Sequence, residues 1–159
     1  MSPKIWGPPI WQFFHSVAEN LLADNDNNNN ENVLKIQQFI GLVQRIAFHL
    51  PCPDCSNHAR LFFQKVNVNN ISTKEDCKNM LFIFHNHVSF RKKQDAMKYQ
   101  DFLADDKYKN VNLVNAYNKF VTAFSSKSTS LKLQTDTLQK KFVLNDLKSW
   151  LLSNLQKNK

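Results

Sequence analysis
Only two glycines and five prolines punctuate these 159 residues, and that scarcity constrains the fold more than any other feature. A sandwich or barrel of strands needs turn residues about every dozen positions. Long stretches without breakers favour helices, and here apolar side chains recur at steps of three and four along most of the chain. Pro8 and Pro9 suit a helix start, because the first amides of a helix lack intrahelical partners. Behind them Trp11, Phe14, His15, Ala18, Leu21 and Leu22 mark one face. After a polar loop over 24–30, a seam of Val33, Ile36, Ile40, Val43, Ala47 and Leu50 predicts a second helix ending at Pro51. A third starts at Pro53 with Cys55, Ala59, Phe62 and Val66, and Asn67 to Asn70 close it. A fourth starts near Thr73 and carries Cys77, Leu81, Phe84 and Val88. The expected class is all-α, a four-helix bundle.

Beyond Arg91 the pattern weakens. A short fifth helix is expected over 98–103, holding Tyr99 and Phe102, and another over 111–124. Residues 125–130 read as a linker. A last amphipathic helix carries Leu138, Phe142, Leu144, Leu147, Trp150, Leu151 and Leu155; its stripe either folds back on the bundle or binds a second chain. The expected division is a functional domain over 1–107 and a helical extension over 108–159.

The formal charge is +8, but the lysines are scattered rather than gathered into a block, which argues against a nucleic-acid partner. Three cysteines do not make a disulfide-stapled secreted scaffold. The opening residues lack the charged, apolar and small-residue segments of a secretion signal. No apolar run reaches the ~18 residues of a membrane span. A protein of a reducing compartment is the expectation, where a CxxC pair is metal-binding or redox-active more often than structural.

That pair lies in the stretch PCPDCSNHA, Pro51 to Ala59. Zinc needs four ligands in a structural site; Cys52, Cys55 and His58 supply three, and His49, His85 and His87 form no second matched pair. Covalent haem attachment needs a histidine directly after the second cysteine, where Ser56 stands. Cysteines at a helix N-terminus feel its partial positive charge, which favours thiolate and reactivity. Redox chemistry is therefore the leading interpretation. A dithiol that closes to a disulfide must send two electrons elsewhere, normally to a cofactor such as flavin. Without a GxGxxG fingerprint, such a flavin would lodge among the aromatic and histidine side chains of the bundle itself.

Three segments then become recognisable together: WGPPIWQFFHSVA (Trp6 to Ala18), LPCPDCSNHA (Leu50 to Ala59) and FHNHVSFR (Phe84 to Arg91). In order and spacing they resemble the Erv/ALR family of FAD-linked sulfhydryl oxidases, most closely the compact versions of large cytoplasmic DNA viruses. The resemblance covers roughly residues 5 to 103. It implies that Cys55 lies against the flavin ring while Cys52 exchanges disulfides with substrate. It further implies that Gly7, Trp11 and His15 cradle FAD, that His58 joins them, and that His85, Asn86 and Val88 hold the adenosine and phosphates. Tyr99 falls where an aromatic residue covers the adenine.

There are departures. Ser89 replaces the second asparagine of the family's HNxVN motif. The usual following lysine is Gln94, so Arg91, or else Lys92 or Lys93, would supply the positive charge for the pyrophosphate. Cys77 has no partner with which to form the shuttle pair of cellular relatives, and its place on an apolar seam reads as a packed thiol. The implied electron donor is therefore a dithiol protein or a small thioredoxin-like or CxxC carrier. Molecular oxygen is the acceptor and hydrogen peroxide the product. A homodimer is implied, through the first two helices or the extension, in host cytoplasm or virion. The competing readings are a zinc-stabilised adaptor and a non-catalytic interaction module.

Overall fold
The computed structural model describes residues 3–21, 30–91, 108–125 and 133–155. Among these residues there are six α-helices and no strand: α1 (Pro3–Glu19), α2 (Asn30–Ala47), α3 (Pro53–Gln64), α4 (Lys74–Arg91), α5 (Leu113–Phe124) and α6 (Leu133–Asn154), with a 3₁₀ turn at Val68–Asn70 before α4. The fifth helix expected over 98–103, with Tyr99, Gln94, Lys92 and Lys93, lies outside the described residues, as does most of the expected linker.

Local chemistry explains most boundaries. Cys52 is the N-cap of α3 in extended conformation, Pro53 takes the first helical position and Asp54 adds an acidic group to the first turn. At α4 the Thr73 hydroxyl accepts from the Asp76 amide (3.0 Å), while the Asp76 carboxylate accepts from the Thr73 and Ser72 amides (both 3.2 Å). This is a reciprocal capping box with aspartate in the usual glutamate position. Asn112 caps α5 by accepting from the Asn115 amide.

Two boundaries differ from expectation. α1 begins at Pro3, so Pro8 and Pro9 sit inside it rather than at its start. Each removes one amide donor from the helix ladder, yet Trp6 (4% exposed) and Ile10 (2%) anchor the two sides of the interruption in the core. α2 ends at Ala47 rather than at Pro51. A proline disfavours helical geometry in the preceding residue, and the chain leaves through a turn at Phe48 and His49.

α1 packs against α4 and α5, and α2 against α3, α4 and α6. One continuous apolar core results, running from Trp6 through Phe39, Leu81 and Phe120 to Trp150. α5 and α6 thus enlarge the bundle core rather than standing apart from it. Phe120 stacks on Phe13 of α1 (4.6 Å between centroids), and Trp150 stacks on Phe39 of α2 (5.5 Å). Lys140 is nearly buried, donates to the Phe124 carbonyl (3.1 Å) and lies over the Phe124 ring. It thereby fastens the C-terminus of α5 to α6, where a cation also suits the helix dipole. The terminal stripe folds back through Val143, Leu147 and Trp150, while Leu138 and Phe142, expected on the same face, are about half exposed (52% and 51%). The expected set spanned more of the helix circumference than a single partner can cover.

Candidate functional site
Cys52 and Cys55 are joined as a disulfide with their Cα atoms 5.2 Å apart, at the N-terminus of α3. Both are half-buried. The Cys52 Sγ accepts a hydrogen bond from the Cys55 amide (3.2 Å), so this sulfur doubles as the helix cap. Cys55 forms part of the wall of an apolar cleft with Trp6, Ile10, Trp11, Phe14, Ala47, Leu50, Phe84 and Val88. The cleft therefore lies where α1, the end of α2, the start of α3 and the second half of α4 converge. Its open volume is about 30 Å³.

Beside it runs a file of aromatic rings. Trp11 stacks on His85 with centroids 4.2 Å apart and planes 6° from parallel. The His15 Nε2 and His85 Nδ1 atoms are 3.1 Å apart, close enough for one ring to donate to the other. His15 is buried (1% exposed) and stacks in turn on Tyr108 at 4.7 Å. Spacing dictates much of this. Trp11 and His15 are one turn apart on α1, and Phe84, His85 and Val88 share the face of α4 that meets them. Gly7, one turn before Trp11, is buried, yet a Cβ added there would meet no atom within 4 Å. A gap lies beside its α-carbon.

The structure thus brings Cys55, Trp11 and Val88 to one cleft, with His85 stacked on Trp11 and His15 bonded to His85. Asn86 is half-buried on α4. Ser89 and Arg91 belong to the last turn of α4, but their side chains, like Tyr99, lie outside the described residues. His58 faces elsewhere: with Phe62, Ile83 and His87 it lines a second, larger cleft of about 720 Å³ between α3 and α4. Tyr108 was missed by sequence reasoning; it stands in the weakly patterned region, where no periodicity signals burial. Cys77 is fully buried in α4. Burial, with a smaller contribution from the neighbouring Asp76 charge, pushes its thiol up from 9.0 to about 12. It is protonated and chemically silent near neutrality. Among the described residues, no group of three histidines, cysteines or carboxylates could hold a metal ion. Nor is any helix of these residues long and apolar enough to cross a membrane.

Residues 8–109 match the family model described as the Erv1 / Alr family. The chain belongs to the Erv1 / Alr family. Two viral proteins are similar to this chain in sequence. The protein named "Putative FAD-linked sulfhydryl oxidase 096R" of Invertebrate iridescent virus 3 is 28% identical over 92 residues, covering 57% of this chain and 58% of that protein. "Putative FAD-linked sulfhydryl oxidase 347L" of Invertebrate iridescent virus 6 is 25% identical over 97 residues, covering 57% of this chain and 82% of that protein. The chain therefore spans little more than half the length of the first relative. No solved structure matches it. Within this Erv1 / Alr chain, the matched region contains the CxxC pair and the aromatic file through Tyr108, whereas α5 and α6 lie beyond it.

Proposed function
We propose that this chain is an FAD-dependent sulfhydryl oxidase that installs disulfide bonds in dithiol proteins. The observation that carries the proposal is the Cys52–Cys55 disulfide with Cys55 in the wall of an aromatic, apolar cleft. The chemistry of the lining suits a flavin: the Trp6, Trp11, Phe14 and Phe84 rings supply aromatic surface, the His15–His85 pair stands behind Trp11 for polar contact, and a sulfur lies at the wall. The gap beside Gly7 is a place where backbone leaves room for a ligand. The cleft is smaller than a tricyclic ring, so binding would be coupled to spreading of its walls. Gly7, Trp11, His15, Cys55, His85 and Val88 would hold the cofactor. The family resemblance adds His58, Asn86, Ser89, Arg91 and Tyr99.

A substrate thiolate attacks the Cys52 sulfur and Cys55 leaves as thiolate, giving a mixed disulfide between substrate and Cys52. The second substrate thiol attacks the substrate's own sulfur in that bond. The oxidised substrate departs and Cys52 is released as a thiolate. At that point the Cys55 amide and the N-terminus of α3 stabilise negative charge on Cys52. Held in the cleft, FAD would supply the two-electron acceptor that lets the Cys52–Cys55 dithiol close again, with molecular oxygen as the terminal acceptor and hydrogen peroxide as the product. The chain's own contribution is to hold Cys55 at the cleft and Cys52 at the rim of α3. The direct donor is a dithiol protein or a small CxxC carrier, the working unit is a homodimer, and the setting is host cytoplasm or virion.

Cys55→Ser tests the assignment. The purified wild-type protein should be yellow with a flavin spectrum, and the variant should keep that colour while losing dithiol-dependent oxygen consumption by at least about a thousandfold. Retained turnover in the variant, or a colourless wild-type protein carrying stoichiometric zinc, would remove the assignment.

A further inference from the structure
The five-residue connection between α2 and α3 is fastened by the helix it leads into. Ser56, nearly buried on α3, accepts a hydrogen bond from the Leu50 amide through its hydroxyl oxygen (2.9 Å). Its own amide donates to the Cys52 carbonyl (3.0 Å). One turn further on, the Arg60 guanidinium donates to the Phe48 carbonyl (3.1 Å) and lies over the Phe48 ring at 4.7 Å. Phe48 follows the last residue of α2, where carbonyls lack helical partners and the dipole is negative. Arg60 thus also caps the preceding helix. Ser56 and Arg60, four residues apart, share one face of α3 and tie both ends of the short segment 48–50 that delivers Pro51 and Cys52.

Building on the reading of Cys52–Cys55 as the redox pair, we propose that Ser56 and Arg60 are positioning residues that set the stability of this disulfide. A disulfide forms more readily the more firmly the backbone presents one thiol to the other, an effective concentration fixed by geometry rather than by the sulfurs. Cys55 is inside α3 and needs no help. Cys52 is outside it, held on its N-terminal side only through the segment that Ser56 and Arg60 fasten. When a substrate thiol opens the bond, the clamp keeps the Cys52 backbone in place, so that its side chain alone moves and the return path stays short. Loosening the clamp lowers the effective concentration of Cys52 at Cys55, and the couple becomes less negative, that is, easier to reduce.

The test is an anaerobic equilibrium of full-length, cofactor-loaded protein with dithiothreitol buffers of graded ratio, the reduced fraction read as doubly alkylated protein by mass. Two electrons and two protons pass from dithiothreitol to the pair, leaving cyclic oxidised dithiothreitol. Ser56→Ala and Arg60→Ala should each shift the exchange constant toward the dithiol by about tenfold, the scale of one lost hydrogen bond. For a two-electron couple that is about 30 mV. Arg60→Lys, which keeps a donor but not the planar fork, should recover part of the shift. Unshifted constants in both alanine variants, with helical circular dichroism intact and the wild-type pair cycling, overturn the clamp alone. A wild-type pair that does not cycle overturns the redox reading and the clamp together. Should Ser56→Ala lose its helical signal, Arg60→Ala, at an exposed position, decides the matter.

Discussion
Gly7 shows how a single missing methyl can carry information. Alanine exceeds glycine in helix propensity by about 1 kcal/mol, and the site offers a Cβ empty space. Gly7→Ala should therefore raise the thermal midpoint of cofactor-free protein while lowering FAD content after purification, measured as the 450-to-280 nm absorbance ratio. If the ratio is unchanged, the gap is not used by the ligand. Cys77 makes the opposite kind of statement. Its thiol is raised in the folded state, so the folded chain holds a proton that the unfolded chain gives up. The associated stability is complete below the unfolded value near 9 and is lost as pH climbs toward 12, by up to about 1.4 kcal/mol per pH unit. The raised Tyr117 adds a smaller loss of the same sign above 10. Urea titrations from pH 8 to 11 should show this decline, and Cys77→Ala should flatten it while lowering stability at pH 8, where the thiol is protonated in both states.

At the scale of elements, the α1–α5 contact is the one on which the cleft leans. Phe120 is fully buried, stacks on Phe13 and sits in line with Phe124. Phe120→Ala should cost about 3–5 kcal/mol in urea unfolding, and because Phe13 and Trp11 share α1, it should weaken FAD retention as well. Loss of stability with fully retained cofactor would separate the two. This contact was not legible in the sequence. Periodicity marks Phe120 as apolar-facing but says nothing about which helix covers it. What was legible is physical in origin: the seam of α2, the start of α4 near Thr73 and the start of α3 at Pro53 each arise from interactions within about four residues. The resemblance assigns Trp11 and His85 to one cofactor site, but their direct stacking across 74 positions was legible by neither route. Tyr108 escaped both routes. The start of α1 was misjudged because tertiary burial of Trp6 and Ile10 overrode the local proline signal.

At the scale of the whole molecule, α1, α2, α5 and α6 share one core, yet apolar surface is left over. Leu138 and Phe142 lie one turn apart and half exposed on α6, a pattern that suits a second copy. Sedimentation velocity of the full-length protein should give twice the 18.6 kDa chain mass, and Phe142→Lys should shift it toward the single chain. A wild-type protein sedimenting at the chain mass would remove the homodimer. The position of α1 has a larger consequence. One side of this helix carries Trp11 and His15, and the other carries Phe13 against α5. Substitutions far from the sulfurs, in the C-terminal third of the chain, therefore have a lever on flavin affinity. Pigmentation of a colony or a column fraction becomes a practical screen for how well that distant third has docked.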